Sequence, residues 1–170
     1  RECAAAGLAL PIISIEPGRN IVGPTTFTLY EVGTVKDVLL EDGSTRRYIS
    51  VDGGMSDNPR PITYQSQYTA VLADRPEAEA SDTVTLAGKH CESGDVLLKD
   101  LALPPATSGD VLAVFATGAY NASMSSNYNR IPRPAAVMVH DGMADVVQRR
   151  EQPEDLLRYD VLPERLRPVA

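Results

Sequence analysis

Asp42-Gly43 lies between Thr34–Glu41 and Thr45–Val51, two runs rich in β-branched residues. An Asp-Gly pair readily takes the left-handed backbone of a tight hairpin turn, whose twist matches the strands it joins. The same texture continues along the chain. Strands are expected at about Thr69–Ala73, Thr83–Gly88, Val96–Leu98 and Val111–Ala116, with Pro104-Pro105 and Ser108-Gly109 as punctuation. A second hairpin, Ala135–Val139 with Met143–Arg149, turns at Asp141-Gly142. A short helix over Pro153–Tyr159 closes the series, with Pro163 after it. Short strands with regular turns and no internal repeat define a mainly β fold, an antiparallel barrel or sandwich.

The leading residues read differently. Arg1–Gly7 resembles a helix end with Gly7 at its C-cap. Pro11–Glu16 is a short apolar run suited to a buried parallel strand, and Asn20 to about Val32 reads as a helix after the Pro17-Gly18-Arg19 turn. Helix end, strand, turn and helix make one βα step, which cannot bury both faces of its strand. The expected organisation is therefore residues 1–33 as the end of an α/β barrel and residues 34–170 as a β-domain. A start in mid-helix, without methionine, implies a fragment whose natural polypeptide extends upstream.

Composition narrows the function. Hydrophobic residues make up 43%, enough for a core, and the net charge of −7 argues against a nucleic-acid partner, which demands a concentrated basic footprint. No apolar run is long enough to span a bilayer, and no signal peptide is visible. Cys3 and Cys91 are too far apart for a disulfide framework and suit a reducing cytoplasm; the Cys and His spacing matches no metal site. Asn121-Ala122-Ser123 matches a glycosylation sequon, read as chance without a secretory signal.

Four stretches carry the chemistry. Gly88–Asp95 places an ammonium, an imidazole, a thiol and a carboxylate in the turn after a strand. A carboxylate beside a thiol disfavours thiolate, so Cys91 is a poor nucleophile, and a small buried hydrophobe is its bland alternative. Arg60 stands in a stiff Pro59-Arg60-Pro61 loop with Tyr64 nearby, a fork for a carboxylate or an ordinary solvated arginine. Gly18 and Arg19 stand at a strand-to-helix turn, where free N–H groups meet anions or glycine merely eases the bend. Tyr120 follows Gly118-Ala119, either close to a flat ligand or packed at a barrel rim.

Read together, Glu16-Pro17-Gly18-Arg19, Asp57-Asn58-Pro59-Arg60-Pro61 with Tyr64, His90-Cys91-Glu92-Ser93-Gly94-Asp95, and Gly118-Ala119-Tyr120 leading to Met124-Ser125-Ser126-Asn127-Tyr128-Asn129 resemble the C-terminal half of the diaminopimelate decarboxylase family. These are fold-type III pyridoxal-phosphate enzymes, alongside ornithine and arginine decarboxylases. The resemblance runs from about Ile12 to Asp160 and implies a (β/α)8 barrel followed by a β-domain, in a homodimer with shared active sites. Residues 1–33 would be the last βα step of that barrel; the cofactor-anchoring lysine and the glycine-rich phosphate loop would lie upstream.

The resemblance further implies cofactor binding by Glu16, Gly18, Arg19 and Tyr120. Substrate would be held by Arg19, Arg60, Tyr64, Glu92 and Tyr120. Cys91 becomes a proton donor, for which thiol rather than thiolate is the required form. The implied reaction is decarboxylation of meso-2,6-diaminopimelate to L-lysine. Cys91-Glu92 favours this substrate, since ornithine decarboxylases usually carry Cys-Asp there. A related basic amino acid decarboxylase, or a silent homologue acting as a dimerising binding module, are the alternatives; a fragment alone would be inactive.

Overall fold

The computed structural model describes residues 1–167. Eight strands and five short α-helices run in the order α1 (Glu2–Ala5), α2 (Gly18–Val22), β1 (Phe27–Leu39), β2 (Thr45–Val51), α3 (Arg60–Tyr64), β3 (Ala70–Leu72), β4 (Asp82–Ala87), β5 (Val96–Leu103), β6 (Val111–Phe115), α4 (Asn121–Met124), β7 (Ala136–His140), β8 (Met143–Gln148) and α5 (Pro153–Leu156). Six strands form one sheet in the order β3-β6-β1-β2-β4-β5, and β7-β8 is a separate hairpin. The two edge strands of the large sheet, β3 and β5, touch, so the sheet curls nearly into a barrel.

β1 is the spine of this sheet. Its first half pairs with β6 (Phe27↔Phe115 to Glu31↔Val111), and its second half with β2 (Val35↔Ile49 to Leu39↔Thr45). The register shifts between Val32 and Val35, around Gly33, and this irregularity lets one strand serve two sides of a curved sheet. The expected turn forms at Asp42-Gly43: Asp42 Oδ1 accepts the Ser44 N–H (2.9 Å), and Leu40 N–H donates to the Ser44 carbonyl (2.8 Å). Tyr30, Val32, Ile49, Val51, Leu72, Leu86, Leu103, Leu112 and Val114 alternate inward from their strands to fill the core. Each large side chain among them contributes about 1.5–3 kcal/mol by leaving water.

Three features differ from the sequence reading. The helix expected over 20–32 is confined to Gly18–Val22, and residue 33 lies inside β1. Gly23-Pro24 ends the helix, and Phe27–Glu31 find a ready ladder partner in β6. Pro11–Glu16 forms no strand and is exposed, Ile12 at 98%. A strand's backbone groups need a neighbouring strand, and among the described residues none lies alongside. Finally, β2 and β4 pair in parallel, Arg47↔Val84 to Ser50↔Ala87, within an otherwise antiparallel sheet. Parallel neighbours require a crossover. That crossover, residues 52–81, contains the Asp57–Pro61 loop, α3 and β3, the last of which joins the far edge of the same sheet beside β6.

The strand expected over 96–98 runs on to Leu103 and the helix expected over 153–159 ends at Leu156, while the turns at Gly7 and Asp141-Gly142 form as expected. Gly7 follows α1 with φ +68, and Gly7 N–H to Ala4 and Leu8 N–H to Cys3 close its C-terminus. Asp141-Gly142 turns β7 into β8 with φ +48 and +75. Every residue of β7 and β8 is exposed, Val139 and Val146 included.

Candidate functional site

α2 docks on the loop that follows β6. Gly118 N–H donates to the Gly23 carbonyl (3.2 Å) and Thr117 N–H to that of Thr26 (3.1 Å). A Cβ on Gly118 would run into the Val22 carbonyl and the Thr26 side chain, so only glycine permits this approach. Arg19 is thereby brought to one side of a cleft of about 490 Å3, lined also by Arg60, Ser66, Tyr68, Phe115 and Ala119.

Arg60 begins α3, with Pro59 ahead of it and Pro61 in its first turn. Its guanidinium lies 5.2 Å from the Tyr64 ring centroid and 5.0 Å from that of Tyr120, stacked between the two aromatic faces. Tyr120 is held in a left-handed backbone (φ +72) at the start of α4, which aims its ring at Arg60. Arg47, Arg75, Arg133 and Arg149 are paired with carboxylates; among the described residues Arg19 and Arg60 form no ion pair, as is true also of the exposed Arg46 and Arg158, but Arg19 and Arg60 share one cleft. The cleft contains no acidic side chain.

The Gly88–Asp95 turn joins β4 to β5 and lies against α3: a Cβ on Gly94 would meet Ile62 Cδ1 at 2.8 Å. Cys91 and Glu92 are exposed at its tip, outside the lining of the Arg19–Arg60 cleft. Glu16 is exposed in the coil before α2, and Gly18 is the first residue of that helix. The structure thus brings Arg19, Arg60, Tyr64 and Tyr120 together and leaves Cys91 with Glu92 on a separate turn.

Beneath the turn is a buried polar cluster absent from the sequence reading. Asp95 Oδ2 accepts the His90 backbone N–H (2.9 Å) and lies 2.9 Å from His90 Nδ1, while Oδ1 accepts the Met55 N–H (2.7 Å). The His90 side chain is fully buried, stacks on Tyr128 at 5.7 Å, and has no partner for Nε2. Nearby, Tyr30 donates its hydroxyl to Asp57 Oδ2, and Gly54 N–H donates to Oδ1 (2.9 Å). Burial pushes the Asp57 carboxyl up, and burial with the Asp57 charge pushes the Tyr30 phenol well above its usual range. Asn121 donates to Asn58 (2.8 Å), tying α4 to the same loop. The usable sequence signal was the density of Asp, Asn and His within the four motifs, but the partners are distant in sequence.

A polar loop over residues 125–133 covers this cluster. Arg133 reaches Glu151 (2.9 Å), Asn127 (2.5 Å) and Ser125 (3.0 Å), and its backbone N–H holds the Glu151 carboxyl below the usual range. No group of three or more His, Cys, Asp or Glu side chains among the described residues is arranged for a metal, and no described helix is long and apolar enough to cross a membrane.

The curled β-sheet thus presents two guanidiniums without carboxylate partners in one acid-free cleft, and a thiol with a carboxylate on a neighbouring turn. The chain belongs to the pyridoxal-dependent decarboxylase C-terminal sheet domain family, which it matches over residues 20–118. It is 56% identical over 166 residues to the diaminopimelate decarboxylase of Synechocystis sp., covering 98% of this chain and 34% of that protein. The Bacillus subtilis diaminopimelate decarboxylase is 51% identical over 155 residues, covering 91% and 34%. The chain spans about a third of the length of these relatives. Among solved structures, the diaminopimelate decarboxylase of M. jannaschii in complex with L-lysine superposes with a TM-score of 0.81 at 31% identity, covering 95% of this chain and 36% of that one. The lysine/ornithine decarboxylase of Vibrio vulnificus shares the fold at a TM-score of 0.55 and 21% identity.

Proposed function

We propose that the chain is the sheet-domain part of a pyridoxal-phosphate decarboxylase that converts meso-2,6-diaminopimelate to L-lysine. The observation that carries this reading is the cleft: on a chain of net charge −7, Arg19 and Arg60 are left without carboxylate partners. Guanidiniums with no carboxylate partner are free to take an anion from a ligand, and a cofactor phosphate and substrate carboxylates are such anions. The relatives' names agree with it.

The donor set suits the cofactor, since guanidinium and phenol groups bind phosphate and the flat Tyr120 ring borders the cleft's Arg60. Glu16, Gly18, Arg19 and Tyr120 would hold it, and when bound it supplies the electron sink that makes loss of carbon dioxide feasible. In this reading the segment before β1 belongs with the cofactor-binding barrel, and the rest forms the β-domain.

The chain's own residues then divide the work. Arg60 and Tyr64 grip the substrate's distal carboxylate, the guanidinium pre-oriented between two rings. Glu92 accepts hydrogen bonds from the distal ammonium. Cys91 delivers the Sγ proton to the carbon that has lost its carboxylate, on one face only. Cys91 and Glu92, exposed and outside their own chain's cleft, serve the second subunit of a homodimer in the cytoplasm.

Carbon dioxide release by the full-length enzyme, supplied in turn with meso-diaminopimelate, L-ornithine and L-lysine, tests the assignment. The expected preference for diaminopimelate is at least about a hundredfold in kcat/KM, because a site built around buried polar groups rejects analogues that leave them unpaired. Equal or faster turnover of ornithine would overturn it.

A further inference from the structure

We infer that Tyr128 is a positioning residue for Glu92, fixing the carboxylate that reads the substrate's distal ammonium; this rests on the function proposed above. Glu92 is exposed at the tip of its turn, where an unrestrained carboxylate samples several rotamers. Two donors restrain it. Tyr128 O–H donates to Oε2 at 3.3 Å, and the Gly94 N–H faces Oε1 at 3.5 Å. Both oxygens keep lone pairs for an ammonium. The phenol orients the carboxylate without neutralising it, as an arginine would.

Tyr128 can do this because it is itself held. Its ring lies against the His90 imidazole at 5.7 Å and 21° between planes. That imidazole has its side chain fully buried and lies 2.9 Å from Asp95 Oδ2. The loop carrying Tyr128 is pinned by the Ser126 N–H on the Ser56 carbonyl (2.8 Å) and, five residues on, by Arg133 with Glu151. A chain of fixed groups therefore runs from the buried Asp95 through His90 and Tyr128 to the exposed Glu92. Nothing in the assigned chemistry requires Tyr128, yet it is the one side chain in this structure that donates to Glu92 among the described residues.

The test uses the full-length, cofactor-loaded decarboxylase with Tyr128→Phe, Glu92→Gln and both changes together. Tyr128→Phe should raise KM for diaminopimelate about five- to tenfold with kcat within about twofold, as expected for one partly solvated bond to a charged group. The double variant should be no worse than Glu92→Gln alone, since the phenol acts through the carboxylate. In the cofactor-free protein, Tyr128→Ala, which also removes the stack, should speed backbone amide hydrogen exchange across residues 91–95 about threefold or more, while Tyr128→Phe leaves it unchanged. If Glu92→Gln raises KM but Tyr128→Phe does not, or if the two penalties multiply, the inference fails and the functional reading survives. If Glu92→Gln leaves KM unchanged, both fall. Unchanged amide exchange in Tyr128→Ala would overturn the buttressing of the turn.

Discussion

Asp95 accepts the backbone N–H of Met55 at 2.7 Å, joining two segments that are 40 residues apart. Its second oxygen takes the His90 backbone N–H and lies 2.9 Å from the His90 ring. The loop that carries Arg60 and the turn that carries Cys91 are therefore tied to one carboxylate.

Asp95→Ala strands the Met55 and His90 donors in a buried site, and the protein should lose about 3–5 kcal/mol of stability. Asp95→Asn keeps an acceptor oxygen and should lose less. Urea unfolding of both variants checks the order, and equal stabilities would contradict it.

How much of this was legible beforehand depends on how local the cause is. Asp42-Gly43 and Asp141-Gly142 announce their hairpins because a turn's chemistry sits in adjacent residues. β1 was misread at its start for a physical reason: Phe27 and Leu29 point outward, 54% and 55% exposed, while Tyr30 and Val32 point inward. Apolar residues on both faces erase the period-two signal. Pro11–Glu16 has the composition of a buried strand, but composition does not supply the neighbour a strand pairs with. The parallel pairing of β2 with β4 was hidden because hairpin turns on either side suggest only antiparallel neighbours. At the site, Arg60 lies beside Tyr64 and Tyr120 and shares a cleft with Arg19, a grouping that the family resemblance implied and the residue types alone did not. The Asp95–His90–Tyr128 stack joins three separated segments and shows only in the fold.

Gly118→Ala should separate α2 from the sheet. The new methyl group meets the Val22 carbonyl, which is backbone and cannot rotate away. The core strands lie elsewhere, so we expect a small change in the unfolding midpoint but faster limited proteolysis between residues 7 and 22, together with weaker cofactor binding. A variant with wild-type proteolysis and cofactor absorbance would show that the docking is dispensable.

Asp57 gives a signed pH dependence. Burial raises its folded pKa above the unfolded value, so the native state binds the proton more tightly than the unfolded one. Its contribution is fully present below the unfolded carboxylate pKa and is lost as pH rises through the raised folded pKa. Asp57→Asn removes this loss while keeping an oxygen for the Gly54 N–H. The variant's stability relative to wild type should therefore improve from acid towards neutral pH. A pH series of thermal unfolding checks it; a constant difference would contradict the assignment.

Arg60→Lys should fail to replace arginine despite keeping the charge. A planar fork stacked between Tyr64 and Tyr120 presents two parallel donors, and an ammonium presents a point charge. In the full-length enzyme KM for diaminopimelate should rise about tenfold or more, the scale of losing a charge-assisted bond, with cofactor absorbance unchanged. Equal losses of cofactor and substrate binding would place Arg60 at the cofactor instead.

The central claim is that Cys91 and Glu92, exposed and outside the cleft lined by Arg19 and Arg60, complete the site of a second subunit. Mixed dimers of the full-length enzyme test it most directly: one subunit lacks the lysine that anchors the cofactor, and the other carries Cys91→Ala. Working in trans, each mixed dimer holds one intact site and one doubly damaged site. Random exchange of equal amounts makes half the dimers mixed, so activity should recover to roughly a quarter of wild type. A mixture as inactive as its two parents would place all of these groups in one chain's site and contradict the account.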